Sequence, residues 1–194
     1  CMALQEARFY TISFHYSGRW GSDGDYSIKH CFEDASSVVD FVLENARGLF
    51  SSSAVYVLGH SLGGLVACHT MARRKEIKAG TIIMPYNIAQ TIRDVRKNPG
   101  LKRKWEEIYE NDFDHWLRAF SLEELQQEAS TDLESFDLAG YGYALAQKPL
   151  LTIEGKVDGF LNKQTNMKVL RDAIEKEPEN KMEKVDIYTD HGMN

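Results

Sequence analysis

The amino-acid sequence predicts an α/β fold, a mostly parallel sheet flanked by helices, and two observations favour it. Short apolar, β-rich runs alternate with longer segments whose apolar residues recur at helical spacing. This alternation is the pattern of a parallel sheet with helices on both faces. The 194 residues, 43% of them hydrophobic, suffice for one domain with a buried core. In such sheets ligands bind outside the carboxyl ends of the strands, so functional residues are expected there.

Five runs have the composition of buried strands, and helical segments lie between them. The first run, FYTISF, has only small polar residues, as expected of a strand covered on both sides. Glu33 and Asp34 are predicted in the first turn of the first helix, where acidic side chains favour the helix dipole. The predicted strands are residues 9–14, 54–59, 80–85, 148–155 and 184–190, and the predicted helices are residues 32–50, 60–74 and 163–176.

One long stretch, residues 86–147, interrupts the alternation because it contains no convincing strand. Pro99-Gly100 indicates a helix stop and restart, and Ser121 with Glu124 forms a capping-box pattern that opens another helix. Since the stretch falls between two predicted strands, we expect it to form a helical cap over the strand ends. Residues 1–85 and 148–194 would then form the core that contains the sheet.

Composition argues against several classes of function. The formal net charge of −6 disfavours non-specific attraction to nucleic acid. No segment has the apolar length that crosses a bilayer, and no signal peptide is visible. The three cysteines, Cys1, Cys31 and Cys68, form no C-x-x-C pair, which disfavours a thiolate metal site. Reduced, structural thiols fit a cytoplasmic protein.

The most specific motif is GHSLGG at residues 59–64, a G-x-S-x-G pattern between a predicted buried strand and a helix. The chain must turn sharply there, which strains the backbone of the serine and exposes its hydroxyl at the positive end of a helix. Small residues on both sides let the strand and the helix approach closely. Ser61 is therefore the candidate nucleophile, and the N–H of Leu62 is the candidate donor to a developing oxyanion.

A serine needs a base, and the chain has six histidines. His191 follows the last predicted strand directly, in a loop from which an imidazole could reach Ser61. His60 adjoins the serine and is expected to point elsewhere. The others precede the nucleophile, lie in the helix after it or fall in the insertion: His15, His30, His69 and His115. His191 is the candidate base.

The base needs a carboxylate that holds its tautomer and stabilises the imidazolium. Asp158 follows the fourth predicted strand by a short turn and completes the chain order serine, aspartate, histidine. Asp190 is adjacent to His191 and is poorly placed to accept a hydrogen bond from its ring. Asp186 and Glu154 lie inside predicted strands. Asp158 is therefore the candidate acid.

These motifs together resemble the α/β-hydrolase superfamily. The likeness rests on GHSLGG after a strand, KPLLTIEGKVDGF late in the chain and TDHGM at its end. HYSGRWGSDGDYS resembles the glycine-containing loop of esterase-like and prolyl-oligopeptidase-like members. The resemblance implies a serine hydrolase in which Ser61 is the nucleophile, His191 the base and Asp158 the acid. It also implies one oxyanion donor at Leu62, no metal and no organic cofactor.

Parts of the superfamily pattern are missing from this sequence. Members normally have further strands before FYTISF, a loop that donates the second oxyanion N–H, and a closing helix after the catalytic histidine. Here the chain opens on Cys1 with what reads as the end of a helix, and it stops three residues after His191. We therefore expect the natural protein to be longer at both ends.

Two groups of residues are candidates for substrate contacts. In the glycine-containing loop, Arg19 and Trp20 would either touch substrate or brace the loop, and His60 is a further candidate. The loop does not fit a phosphate-binding P-loop, because no Lys-Ser/Thr follows it. In the insertion, an aromatic stripe at helical spacing would either pack the cap onto the core or line an acyl or aryl pocket. The stripe consists of Trp105, Tyr109, Phe113, Trp116 and Phe120.

Three functions fit these residues. The first is hydrolysis of a small-molecule carboxylic ester through an acyl-enzyme on Ser61. The second applies the same residues to peptide bonds or amides, and matched ester and anilide substrates would separate it from the first. The third is a non-catalytic binding protein, since a fold alone does not give a function. The three filled triad positions argue against this third function.

Overall fold

The computed structural model describes residues 2–49, 54–108, 117, 121–159, 162 and 164–194. Within these residues, four parallel strands form one sheet with flanking helices, which confirms the predicted fold class. The sheet order is β1 (Val55–His60), β2 (Ile77–Ile83), β3 (Leu150–Gly155) and β4 (Met182–Ile187). The helices are α1 (Met2–Glu6), α2 (Ile28–Leu49), α3 (Leu62–Arg73), α4 (Ile88–Lys97), α5 (Pro99–Ile108), α6 (Leu122–Thr131), α7 (Gly142–Ala146) and α8 (Met167–Glu175).

The prediction of a buried strand at residues 9–14 is wrong. The structure assigns no strand there, and Phe9, Tyr10, Ile12 and Phe14 are between 38% and 73% exposed. A strand is stable when a neighbour satisfies its backbone N–H and C=O groups, and within the described residues this segment has no strand partner. Apolar composition therefore predicted a strand where the segment pairs with neither edge of the described sheet.

Helix α2 begins four residues earlier than predicted, so Glu33 and Asp34 do not lie in its first turn. The carboxylate at this helix end comes from the insertion instead. Glu128 of α6 accepts hydrogen bonds from the backbone N–H groups of Ile28 and Lys29, at 3.0 and 2.6 Å. These are N–H groups that lack partners within a helix, and a negative charge there also favours the helix dipole. The contact therefore ties α6 to the start of α2.

The regular elements in the described part of residues 86–147 are helices, and the cap that the sequence predicts there stays a prediction. Helix α4 ends at Lys97 and α5 begins at Pro99, which matches the predicted stop and restart. Ser121 accepts a hydrogen bond from the N–H of Glu124 at 3.2 Å, as the capping box predicts. Two short 3₁₀ helices, Leu133–Phe136 and Leu138–Tyr141, precede α7. No described helix is long and apolar enough to cross a membrane.

The helices that connect the strands lie on one face of the sheet. Each strand pairs with the next along the chain, and right-handed crossovers then carry every connecting helix to the same side. On the opposite face Tyr56, Leu58, Val185 and Ile187 are between 38% and 57% exposed. The buried core lies between the sheet and the helices that connect its strands.

On the helical side, Arg171 of α8 joins β3 to β4. Its Nη1 lies 3.1 Å from Glu154 Oε2 and 2.9 Å from Asp186 Oδ1. Its other N–H groups donate to the hydroxyl and carbonyl of Thr152 and to the carbonyl of Val185. The Arg171 side chain is only 10% exposed, so this network fixes the helix against both strands. Glu154, a competitor for the acid position, is taken up by this ion pair.

We predict that Arg171→Ala lowers the free energy of unfolding by about 3–5 kcal/mol, because it leaves the largely buried Glu154 carboxylate unpaired. Asp186→Asn is the matched control. Since Asp186 is 49% exposed, losing its charge should cost no more than about 1 kcal/mol. Urea unfolding followed by circular dichroism measures both. Equal, small losses in the two variants would contradict the assigned role of the network.

His69 is half-buried and stacks on a core residue, Phe32. Its ring lies parallel to that of Phe32, with centroids 3.9 Å apart and an angle of 4° between the planes. Burial lowers the pKa of His69 to about 4, and the charge of Arg73 adds to this effect. The folded state therefore holds this imidazole neutral at pH values where an unfolded histidine, with a pKa near 6.5, is already protonated.

The pH dependence of stability follows from this difference. Below pH 6.5 His69 is protonated in the unfolded chain but stays neutral in the folded chain. The free energy of unfolding therefore falls as the pH drops from about 6.5 towards 4. We expect His69→Phe, which keeps an aromatic ring beside Phe32, to lose less stability over this range than the wild-type protein. Urea unfolding at several pH values measures the difference, and parallel pH curves would count against it.

Candidate active site

Ser61 lies in a sharp turn between β1 and α3, with φ 55° and ψ −121°. A positive φ is unfavourable for a residue with a side chain, by about 1–3 kcal/mol, so neighbouring groups must hold it. The Ser61 N–H donates to the carbonyl of Ile83 at 3.0 Å. The Ser61 carbonyl accepts from the N–H groups of Gly64 at 2.9 Å and Tyr86 at 3.0 Å. The end of β2 and the residues after it therefore fix the turn.

The glycines around the serine have unequal steric roles. A Cβ on Gly59 would lie 1.9 Å from the carbonyl oxygen of Gly63, and one on Gly64 would lie 2.9 Å from the Cα of Pro85. The nearest atom to a Cβ on Gly63 is the hydroxyl of Tyr16, at 3.8 Å. Strand and helix thus approach too closely for side chains at positions 59 and 64, whereas position 63 has space.

The structure brings the three predicted side chains into one hydrogen-bonded series. His191 Nε2 lies 3.0 Å from Ser61 Oγ, and His191 Nδ1 lies 2.8 Å from Asp158 Oδ2. The Asp158 side chain is 3% exposed and that of His191 is 16% exposed. With Nδ1 bonded to the carboxylate, Nε2 faces the serine hydroxyl. The arrangement can move a proton from the hydroxyl to the imidazole.

The loops that carry the carboxylate and the imidazole are held together by an extension of the β3–β4 pairing. The N–H of Lys156 donates to the carbonyl of Ile187 at 2.8 Å, and the N–H of Val157 donates to that of Thr189 at 3.2 Å. Gly155 permits this close approach, since a Cβ there would lie 2.7 Å from the Thr189 carbonyl oxygen. Parallel pairing therefore aligns residues that are distant in sequence.

Leu62 is the first residue of α3. The N–H groups of Gly64 and Leu65 donate to the carbonyl of Ser61, whereas the N–H of Leu62 has no acceptor among the described residues. Such N–H groups at a helix N-terminus attract negative charge. The backbone beside the Ser61 hydroxyl thus offers a donor.

Comparison with known proteins agrees with this architecture. The α/β hydrolase fold family matches residues 3–186. The chain belongs to this family. No curated protein matches the sequence.

Solved structures show the same fold at low sequence identity. An esterase from Pyrococcus furiosus is 18% identical, with a TM-score of 0.60 over 92% of this chain and 60% of the esterase. A protein of unknown function from Agrobacterium tumefaciens is 17% identical, with a TM-score of 0.63 over 100% of this chain and 66% of that protein. The mouse α/β hydrolase domain-containing protein 10 is 17% identical, with a TM-score of 0.60 over 91% of this chain and 68% of that protein. This chain thus spans about two thirds or less of the first two of these hydrolase-fold proteins.

In this α/β hydrolase, the glycine-containing loop lies next to the N-terminus of α3. The hydroxyl of Tyr16, a residue of this loop, is close to Gly63 of the helix. Asp34 of α2 anchors the loop by accepting hydrogen bonds from the N–H and hydroxyl of Ser17, at 2.7 and 2.9 Å. Several loop residues adopt a positive φ: Gly18, Trp20, Gly21 and Gly24. The loop is therefore anchored to α2 and lies beside the serine turn.

The predicted substrate contacts in this loop remain predictions. The backbone of Arg19 forms an antiparallel bridge with Leu117 of the insertion, and its Nε is buried without a partner among the described residues. The Trp20 ring lies beside His15, with centroids 6.4 Å apart, and this tryptophan is 51% exposed. Arg19 thus links the loop to the insertion, and Trp20 faces solvent.

The aromatic stripe is described only at its start. Trp105 of α5 stacks on Tyr86, with centroids 5.6 Å apart and planes 19° from parallel. Tyr109, Phe113, Trp116 and Phe120 lie outside the described residues. Sequence reasoning missed Tyr86, although its position directly after a predicted strand end was a signal. Its backbone contact with Ser61 makes it the link between the serine turn and the insertion.

A cavity of about 400 Å³ lies beside Tyr86, between α4, α5 and α6. Its walls include Ile88, Ile92, Val95 and Leu125, and polar side chains such as Arg96 and Gln126 also line it. Its volume falls in the range of small-molecule sites.

We predict that Gly59→Ala destabilises the protein by about 1–3 kcal/mol or more, because the added methyl group overlaps the Gly63 carbonyl. Gly63→Ala is the matched control. It should be neutral or stabilising by up to about 1 kcal/mol, since alanine favours a helix over glycine. Thermal unfolding of both variants measures the contrast. The two glycines have equal steric roles if both variants lose the same stability.

Proposed function

We propose that this α/β hydrolase cleaves carboxylic esters of small molecules through an acyl-enzyme on Ser61. The observation that carries the proposal is the series of hydrogen bonds from Asp158 through His191 to Ser61, at 2.8 and 3.0 Å. The positive φ of the serine and its place before α3 add to it.

In the first half of the reaction, Ser61 Oγ attacks the ester carbonyl carbon while His191 Nε2 takes the hydroxyl proton. The tetrahedral intermediate collapses as the C–O bond to the alcohol breaks, and His191 returns the proton to the departing alkoxide. In the second half, His191 takes a proton from water, whose oxygen attacks the acyl carbon. The acid leaves and the proton returns to Ser61. Asp158 holds the imidazole in the required tautomer throughout.

The negative charge on the substrate oxygen is stabilised by the N–H of Leu62 in this proposal. This group lies at the N-terminus of α3, where the helix dipole favours an anion. Removing one oxyanion donor in a serine hydrolase costs about 2.7–4 kcal/mol of transition-state stabilisation, so this single N–H is a substantial contribution.

The choice of esters rests on the site and on the neighbours. Solved structures with this fold include esterases from Pyrococcus furiosus and Thermogutta terrifontis, 18% and 19% identical to this chain. The cavity beside Tyr86 is the proposed acyl site: four aliphatic side chains line it, and Tyr86 joins it to the serine turn through its N–H bond to the Ser61 carbonyl. Arg19, Trp20 and Trp105 are the proposed substrate contacts among the described residues, with Tyr109, Phe113 and Trp116 from the predicted stripe.

The test is hydrolysis of a p-nitrophenyl ester series of increasing acyl length by the longest native chain. Ser61→Ala should lower kcat by roughly 10³-fold or more, because the nucleophile and its hydrogen bond to His191 are removed together. Ser37→Ala, at an exposed serine of α2, is the matched control and should keep full activity. The acyl length with the highest kcat/KM would then measure the pocket.

Two results would refute the proposal. Equal hydrolysis by wild-type protein and Ser61→Ala would mean that another group performs the reaction. Cleavage of a matched anilide at the rate of the ester would identify an amidase or peptidase, since amide leaving groups demand more of the protonated His191.

A further inference from the structure

His60 is the last residue of β1, and it contacts the imidazole of His191. The alternation of side chains along a strand places Tyr56, Leu58 and His60 on the sheet face away from α3. Tyr56 and Leu58 are 52% and 57% exposed there, whereas His60 is half-buried. The two histidine rings have centroids 4.8 Å apart and planes 40° from parallel. The loop after β4 therefore covers His60.

The backbone of His191 raises the pKa of His60, so a second group of the same loop lies close to its ring. The Nε2 atom of His60, in contrast, is buried without a hydrogen-bond partner among the described residues. A buried polar atom without a partner is unfavourable, and an apolar ring would fill this space without that penalty. Space filling alone therefore does not account for histidine at this position.

The charge state of His60 suits a neighbour of a catalytic imidazole. Burial lowers the pKa of His60, and the charge of the adjacent His191 lowers it further, while the backbone of His191 acts in the opposite direction. A neutral His60 places no like charge beside the imidazolium that forms on His191 during catalysis.

We infer that His60 is a positioning residue: its ring packs against the His191 imidazole and its polar edge donates to the His191 backbone, and together these hold the imidazole between Ser61 and Asp158. The inference rests on the proposed function. It gives His60 a role in the geometry of the base, and the role depends on both the ring and its polar edge. A misplacement of about 1 Å can cost roughly 10²-fold in rate, so a modest shift of the loop has a large effect.

The experiment compares three variants with wild-type protein: His60→Ala removes both contacts, His60→Phe keeps only the ring, and His60→Gln keeps only a hydrogen-bond donor. We expect His60→Ala to lower kcat and the rate of fluorophosphonate labelling of Ser61 by roughly 10- to 100-fold, with KM within about twofold. The Phe and Gln variants should each recover part of this loss. Leu58→Ala, on the same face two residues earlier, should retain full activity.

A readout that needs no substrate completes the test. An imidazole N–H bonded to a carboxylate gives a far-downfield proton NMR signal, which reports the pairing of His191 with Asp158. This signal should weaken or vanish in His60→Ala and persist in Leu58→Ala, each checked for folding by circular dichroism.

An intact signal and unchanged kcat in a folded His60→Ala would overturn the inference while leaving the proposed function in place. Full activity of Ser61→Ala would instead overturn the proposed function, and the NMR signal would then decide the role of His60 by itself. If His60→Ala does not fold, the Phe and Gln variants test the inference instead. A wild-type kcat and an intact NMR signal in both variants would overturn it.

Discussion

The backbone of Ser61 is held at a positive φ by hydrogen bonds to Ile83, Gly64 and Tyr86, and the surrounding structure depends on this turn. It fixes the direction in which α3 leaves β1, and it ties that junction to the end of β2. The pairing of β2 with β3, and of β3 with β4, then aligns the loops that follow the strands. A serine, a carboxylate and an imidazole from three separate strand ends meet as a consequence.

The sequence was informative where local chemistry decides the structure. Positions 59 and 64 have no room for a side chain, so both must be glycine. This steric requirement is why the motif around Ser61 can be recognised in the sequence. Asp158 and His191 could be placed because each follows a strand, and parallel strands end at one edge of a sheet. Burial on both sides at residues 9–14 could not be judged in this way, since it depends on neighbours that composition does not reveal.

Contacts between segments that are distant along the chain could not be predicted from the sequence either. The start of α2 depends on Glu128, about a hundred residues away. Another such contact is made by Asn87, shortly after β2, which is 1% exposed. Its N–H donates to Asn166 Oδ1 at 2.6 Å, and its side chain donates to the carbonyl of Thr165 at 3.0 Å. Buried polar groups with satisfied hydrogen bonds specify one arrangement. The insertion is therefore joined to the core at points that no local pattern marks.

Strand β4 is at the edge of the sheet, and five of its six residues are exposed. Edge elements with little buried surface open in local fluctuations that require less free energy than global unfolding. The loop that carries His191 follows this strand, whereas Ser61 lies between β1 and the buried helix α3. Because β1 is the other edge of this sheet, it is the buried helix α3 that should protect Ser61 more than His191 against hydrogen exchange. In the proposed hydrolase, opening of the β4 edge would separate His191 from Ser61 while the core stays folded.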